Sequence, residues 1–99
     1  MEKKDITYFR EALKLHLSLL AGHYQVQSLG IFGSYVRREQ HSDSDLDVLV
    51  TFYEPPSLLK FIALENYLSD LLGVKVDLVM QDALKPNIGR HILREVIRV

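Results

Sequence analysis

The sequence contains no cysteine, which excludes disulfides and thiolate metal sites and points to a cytosolic setting. No run approaches the ~18 consecutive apolar residues of a membrane span. The first residues, M-E-K-K-D, carry both charge signs and lead into no apolar targeting segment. Neither sign of charge dominates, since the formal net charge is -1. No global field therefore draws the chain to nucleic acid or to a membrane surface. Repeats, low-complexity tracts and linker-like stretches are missing as well. What remains is the expectation of a soluble cytoplasmic protein whose 99 residues form one domain, 1–99, with one modest core.

The informative stretch runs from Leu29 to Thr51. An apolar segment ends in Gly33-Ser34, and ten residues later Asp45-Leu46-Asp47 opens a second one. Strand periodicity is two, so Asp45 and Asp47 project from one face while Leu46, Val48 and Val50 project from the other. Two carboxylates side by side repel each other unless a cation sits between them. Oxygen ligands of this kind suit Mg²⁺, which commonly takes one or two carboxylates together with substrate phosphates. Gly33 lets backbone approach a phosphate, and the N–H groups that open a short helix after it favour anions. Both pieces serve one site only if their strands run antiparallel, joined by residues 35–44.

Around this stretch the pattern predicts a helix over residues 5–21, with Asp5 as N-cap, Ile6, Phe9, Leu13, Leu17 and Leu20 on one face, and Gly22 as its end. A strand follows over 25–32, then a short helix over 34–39, the H-S-D-S turn, and a strand from Asp47 to Phe52. Ser57 and Gly73 bracket a helix over 58–72 with Phe61, Leu64, Leu68 and Leu71 inward. A third strand covers 74–80, its direction open, with Asp77 on the same face as Lys75 and Val79. A last helix starts near Pro86 and runs to about Ile97. The order α-β-α-β-α-β-α describes an α/β fold, a small mixed sheet flanked by helices.

Gly33-Ser34, ten intervening residues, Asp45-Leu46-Asp47, and Asp77 on a later strand together resemble the nucleotidyltransferase superfamily of DNA polymerase beta. The length is similar to that of its minimal members, the MNT antitoxins paired with HEPN-domain toxins. The resemblance covers nearly the whole chain and implies the polymerase beta-like fold. It also implies roles: Gly33 and Ser34 for the nucleotide phosphates, Asp45, Asp47 and Asp77 as catalytic carboxylates holding two Mg²⁺ ions, and Asp77 activating the attacking hydroxyl. ATP is the implied co-substrate, and the implied acceptor is a tyrosine hydroxyl of a partner HEPN ribonuclease toxin in a hetero-oligomeric complex. Larger relatives carry a C-terminal acceptor domain, so a separate protein is expected in that role here. Neither direct nucleic-acid binding nor a membrane is expected.

One departure stands out: many relatives carry Ala-Arg-Gly-Glu where this chain has Val36-Arg37-Arg38-Glu39. Arg37 and Arg38 lie close enough in sequence to the phosphate turn to reach a triphosphate, and solvated surface explains them equally well. Arg90, Arg94 and Arg98 recur four apart, either as a solvated face or as a basic stripe for an acidic partner. His16, His23, His41 and His91 show no metal-ligand spacing. Two further functions compete with the transferase reading. One is an antitoxin that neutralises by binding alone; the other is a small-molecule nucleotidyltransferase.

Overall fold

The computed structural model describes residues 5–41 and 43–99. The charge reading of residues 1–4, and Ser42 within the H-S-D-S turn, lie outside the described residues. Strands β1 (Val26–Phe32), β2 (Leu46–Phe52), β3 (Val76–Met80) and β4 (Ile97–Arg98) form one sheet in the order β3-β2-β1-β4. Helices α1 (Ile6–Leu15), α2 (Leu17–Tyr24), α3 (Ser34–Arg37), α4 (Leu58–Leu72) and α5 (Pro86–Glu95) flank it, with a 3₁₀ turn at Gln81–Ala83.

The antiparallel pairing that the two motifs require is present, with Ile31 opposite Val48 and Phe32 opposite Asp47. The third strand runs parallel to β2, setting Leu46 beside Val76 and Asp47 beside Asp77. A parallel neighbour needs a crossover, and α4 supplies it. Its ends follow the expected chemistry. Ser57 Oγ accepts from the Lys60 amide at 3.2 Å, and Gly73 closes the helix at φ 70.

Alternation along the strands sorts the sheet into two faces. Leu29, Ile31, Val48, Val50, Val76 and Leu78 join Phe9, Leu13, Leu20, Leu64, Leu68 and Leu72 in the main core. The other face carries a smaller cluster of Phe32, Leu49 and Ile92, edged by Val79, Leu84 and Val96. Asp47 and Asp77 share that second face by parity, beyond the end of the apolar cluster.

Several expectations need correction. The first helix breaks at His16, where φ is -108 and ψ is 3. The His16 amide turns back to the Leu13 carbonyl, and its Nδ1 lies 2.9 Å from the Ala12 carbonyl oxygen. Gly22 does not end the second half, which continues to Tyr24 and stops at left-handed Gln25, φ 61. The reversal falls there because the Gln25 carbonyl accepts from the Tyr53 amide and joins the sheet.

The last helix ends at Glu95 rather than near Ile97, and Ile97–Arg98 forms a fourth strand beside β1, with Gly30 opposite Arg98. Gly30 permits this approach, since a Cβ there would collide with the Val96 side chain. The Arg90/Arg94/Arg98 spacing is therefore not one helical stripe, and the Arg98 carbonyl accepts from Arg10 Nε. On α4, Leu72 is fully buried while Phe61 and Leu71 are only partly so.

Arg38 follows α3 in the left-handed region, φ 58 and ψ 36. Glycine is the residue type best suited to such a position, because a side chain at such a φ costs about 1–2 kcal/mol. Part of this is offset because glycine loses more conformational freedom on folding. Arg38→Gly should raise stability by about 0.5–1 kcal/mol, read as a higher urea midpoint at unchanged m-value. An equal or lower midpoint would show that the strain is relieved some other way.

Candidate active site

The pairing register builds the site. Phe32 lies opposite Asp47, so the next residue, Gly33, leaves β1 directly over the Asp47 side chain. Gly33 adopts φ 83, and a Cβ at this position would overlap the Asp47 carboxylate. Glycine is thus required twice, once by its backbone angle and once by the closeness of a carboxylate. Its carbonyl accepts from the Val36 and Arg37 amides at 3.0 and 3.2 Å, which starts α3. Gly33 holds the cap position and no side chain caps that end. Ser34 is the first helical residue and is half-buried.

Asp77 comes to Asp47 laterally through the parallel ladder. Asp45 precedes β2 by one residue and lies on the same face by parity. Its Oδ2 is 4.0 Å from Lys75 Nζ, and both side chains are substantially exposed. The chain is tied across here by the Leu46 amide, which donates to the Lys75 carbonyl at 2.8 Å.

Electrostatics report the same proximity. Burial, followed by the charges of Asp77 and Asp45, pushes the Asp47 carboxyl up to about 6, and Arg37 pulls in the opposite direction. Asp77 is also raised, by burial first and then by Glu65 and Asp45, with Lys75 opposing. Several carboxylates that resist ionising together form a donor set suited to a hard divalent cation. Among the described residues, however, no group of three such side chains is already gathered around a common ion position. The donors' chemistry fits Mg²⁺, and their placement by register puts them on one face without a finished cage.

Of the two arginines near the turn, Arg37 is the engaged one. Its Nη1 reaches both Glu95 oxygens at 2.9 and 3.2 Å, and its Nε reaches Glu39 at 3.2 Å. These contacts raise its pKa, Glu39 before Glu95. Arg38 lines a separate cavity of about 530 Å³ between α3, the start of α1 and β4, away from all three aspartates. Sequence reasoning missed Glu95 and Glu65. Glu95 lies 58 residues from Arg37 and leaves no local signal. Glu65 had one: it stands four residues before Ser69, a polar pair bordering the apolar stripe of α4.

Comparison with known proteins adds a family. The profile of the nucleotidyltransferase domain matches residues 10–99. Protein adenylyltransferase MntA of Thermococcus cleftensis is 54% identical over 87 residues, covering 88% of each chain. A solved structure described as a candidate minimal nucleotidyltransferase is 37% identical and covers 100% of both chains at a TM-score of 0.81. The MNT antitoxin fold also appears in a complex with a tri-AMPylated HEPN toxin of Shewanella oneidensis. That match has 19% identity, a TM-score of 0.66, and covers 91% of this chain and 70% of the other. At that identity it speaks for the fold alone.

Two outcomes are expected. Gly33→Ala should lose about 2 kcal/mol or more in urea unfolding, and adding Asp47→Ala should recover part of it. Full additivity would mean that the carboxylate is not what the methyl meets. Second, between 3.8 and about 6 the folded protein keeps a proton on Asp47 that the unfolded chain has released. This contribution to stability is therefore present at the acid end and lost as pH rises through about 6. In chelator, the melting temperature of wild type should fall across that window, and Asp47→Asn should show a shallower fall. Identical slopes would remove Asp47 as the cause.

Proposed function

The chain belongs to the nucleotidyltransferase domain family, and from that premise we propose that it moves AMP from ATP onto a tyrosine hydroxyl of a partner HEPN-type toxin, silencing it as an antitoxin. The observation that carries this reading is the β1–β2–β3 register, in which the Gly33-Ser34 turn, Asp47 and Asp77 meet on one sheet face. The named activity of the MntA relative supports protein as the acceptor class. The HEPN toxin as partner rests on the resemblance carried by Gly33-Ser34, Asp45-Leu46-Asp47 and Asp77, and the antitoxin of the known toxin complex shares this fold.

Each residue has a part that its position allows. The turn at Gly33-Ser34 receives the triphosphate, with the Ser34 hydroxyl and the amides opening α3 as donors. Asp45, Asp47 and Asp77 would hold Mg²⁺, two ions in all, which would neutralise the phosphate charge on the entering and leaving oxygens. The tyrosine oxygen bonds to the α-phosphorus as the bond from that phosphorus to the β-phosphate's bridging oxygen breaks. Pyrophosphate leaves, and the tyrosine proton passes to the Asp77 carboxylate. Arg37, held by Glu95 beside the turn, contributes positive charge on the phosphate side. The proposed setting is the cytoplasm, where ATP and Mg²⁺ are at hand.

Tagged wild-type and Asp45→Asn chains, purified from the native host with their companions, are each incubated with ATP and Mg²⁺. The intact mass of every component is then recorded. The expected result is a companion that gains AMP with wild type and none with Asp45→Asn. A companion that binds both chains and gains nothing would make this a masking antitoxin instead.

A further inference from the structure

Among the described residues, strand β3 is an edge of the sheet, paired only on its β2 side. Successive amides along such a strand point alternately inward and outward, and an uncovered outer row frays or recruits another strand. Asp77 sits on this strand. Its sequence neighbours, Val76 and Leu78, present their amides outward, and each meets a side chain from α4. Ser69 Oγ accepts from the Val76 amide at 2.9 Å, and Glu65 Oε2 accepts from the Leu78 amide at 2.8 Å. The Ser69 hydroxyl donates in turn to the Glu65 carbonyl at 2.9 Å, so the two acceptors are themselves linked.

We infer that Glu65 and Ser69 are positioning residues, holding Asp77 at the distance from Asp47 that transfer requires by gripping the amides on both sides of it. The inference rests on the assignment of Asp77 above. One side of residue 77 is fixed by the parallel ladder to β2, and the other would be free without α4. Edge segments are where local opening occurs most easily. A carboxylate on a fraying strand loses its alignment with the reacting oxygen, and a misplacement of about 1 Å can lower a rate about a hundredfold. The helix that provides the crossover to β3 thus also stiffens the strand that it delivers. An ordinary edge-blocking role would alter stability and aggregation while leaving the chemical step intact, which separates the two explanations.

The test uses the full chain with its co-purified partner, ATP and Mg²⁺, reading pyrophosphate release together with hydrogen exchange at the Leu78 amide. Glu65→Ala should lower kcat by about tenfold or more with KM for ATP within about twofold, and should speed exchange at Leu78. Glu65→Gln, which keeps an oxygen acceptor, should restore most of the rate. Ser69→Ala should also lower kcat, although alanine is the better helix former. It carries the same test if Glu65→Ala does not fold.

A wild-type kcat in Glu65→Ala or Ser69→Ala despite faster exchange would overturn the inference. So would a Glu65→Gln variant as slow as Glu65→Ala. Asp77→Asn in the same assay separates the two levels of the argument. If Asp77→Asn turns over like wild type, the role of Asp77 itself falls. If it is inactive while Glu65→Ala is unaffected, only the positioning role falls.

Discussion

Everything at the site depends on one backbone pairing, Phe32 of β1 opposite Asp47 of β2. Strand register is all-or-none in its effect on side chains, because a slip of one residue would turn Asp47 into the main core and Val48 out of it. The alternating apolar residues of both strands prevent that slip. Leu29 and Ile31, and likewise Leu46, Val48 and Val50, are all buried in the same cluster. The core therefore sets the position of the carboxylate, and Gly33 follows because the residue after Phe32 has no room for a side chain beside it. Hydrophobic packing and the close approach of the Gly33 turn to Asp47 are two consequences of one register.

The same arrangement gathers like charges. Asp47 resists ionisation because it is partly buried and because Asp77 and Asp45 are near, and Arg37 offsets this only in part, as Lys75 does for Asp77. Such a cluster does nothing for a metal-free fold and suits a protein whose working state includes a cation and a polyphosphate. Arg37 shows a related balance. Its guanidinium is held by Glu95 at the end of α5 and by Glu39 beyond α3, so the positive charge beside the site is fixed by two separate segments. The small second cluster of Phe32, Leu49 and Ile92 ties α5 to the sheet face that carries the aspartates.

Local chemistry made much of this legible. Asp5, Ser57 and Gly73 act at the helix ends as their residue types suggest. Alternation in the third strand correctly separates Val76 and Leu78 from Asp77. The stop at Gln25 and the strand at Ile97–Arg98 are settled by partners distant in sequence. The break at His16 is local, marked by its bonds back to the Leu13 and Ala12 carbonyls, which apolar periodicity does not reveal. A helical pattern continues through His16, and nothing local separates Ile97 from the end of α5. Leu72, at the last turn of α4, lies within an apolar run that does not reveal which residue faces the core.

The sequence by itself determined where the candidate turn and carboxylates lie and that their two strands must be antiparallel. Gly33-Ser34 ends one strand and Asp45-Leu46-Asp47 begins the next, and two groups so placed meet only by doubling back. Only the tertiary structure decided that β3 lies parallel beside β2, so that Asp77 is level with Asp47. It also decided that Ser69 and Glu65 accept from the amides on either side of Asp77 and that Glu95 holds Arg37. Periodicity is a property of neighbours a few residues apart and is written into the chain. Strand order, strand direction and long-range hydrogen bonds depend on how separate faces pack, and no local pattern encodes that.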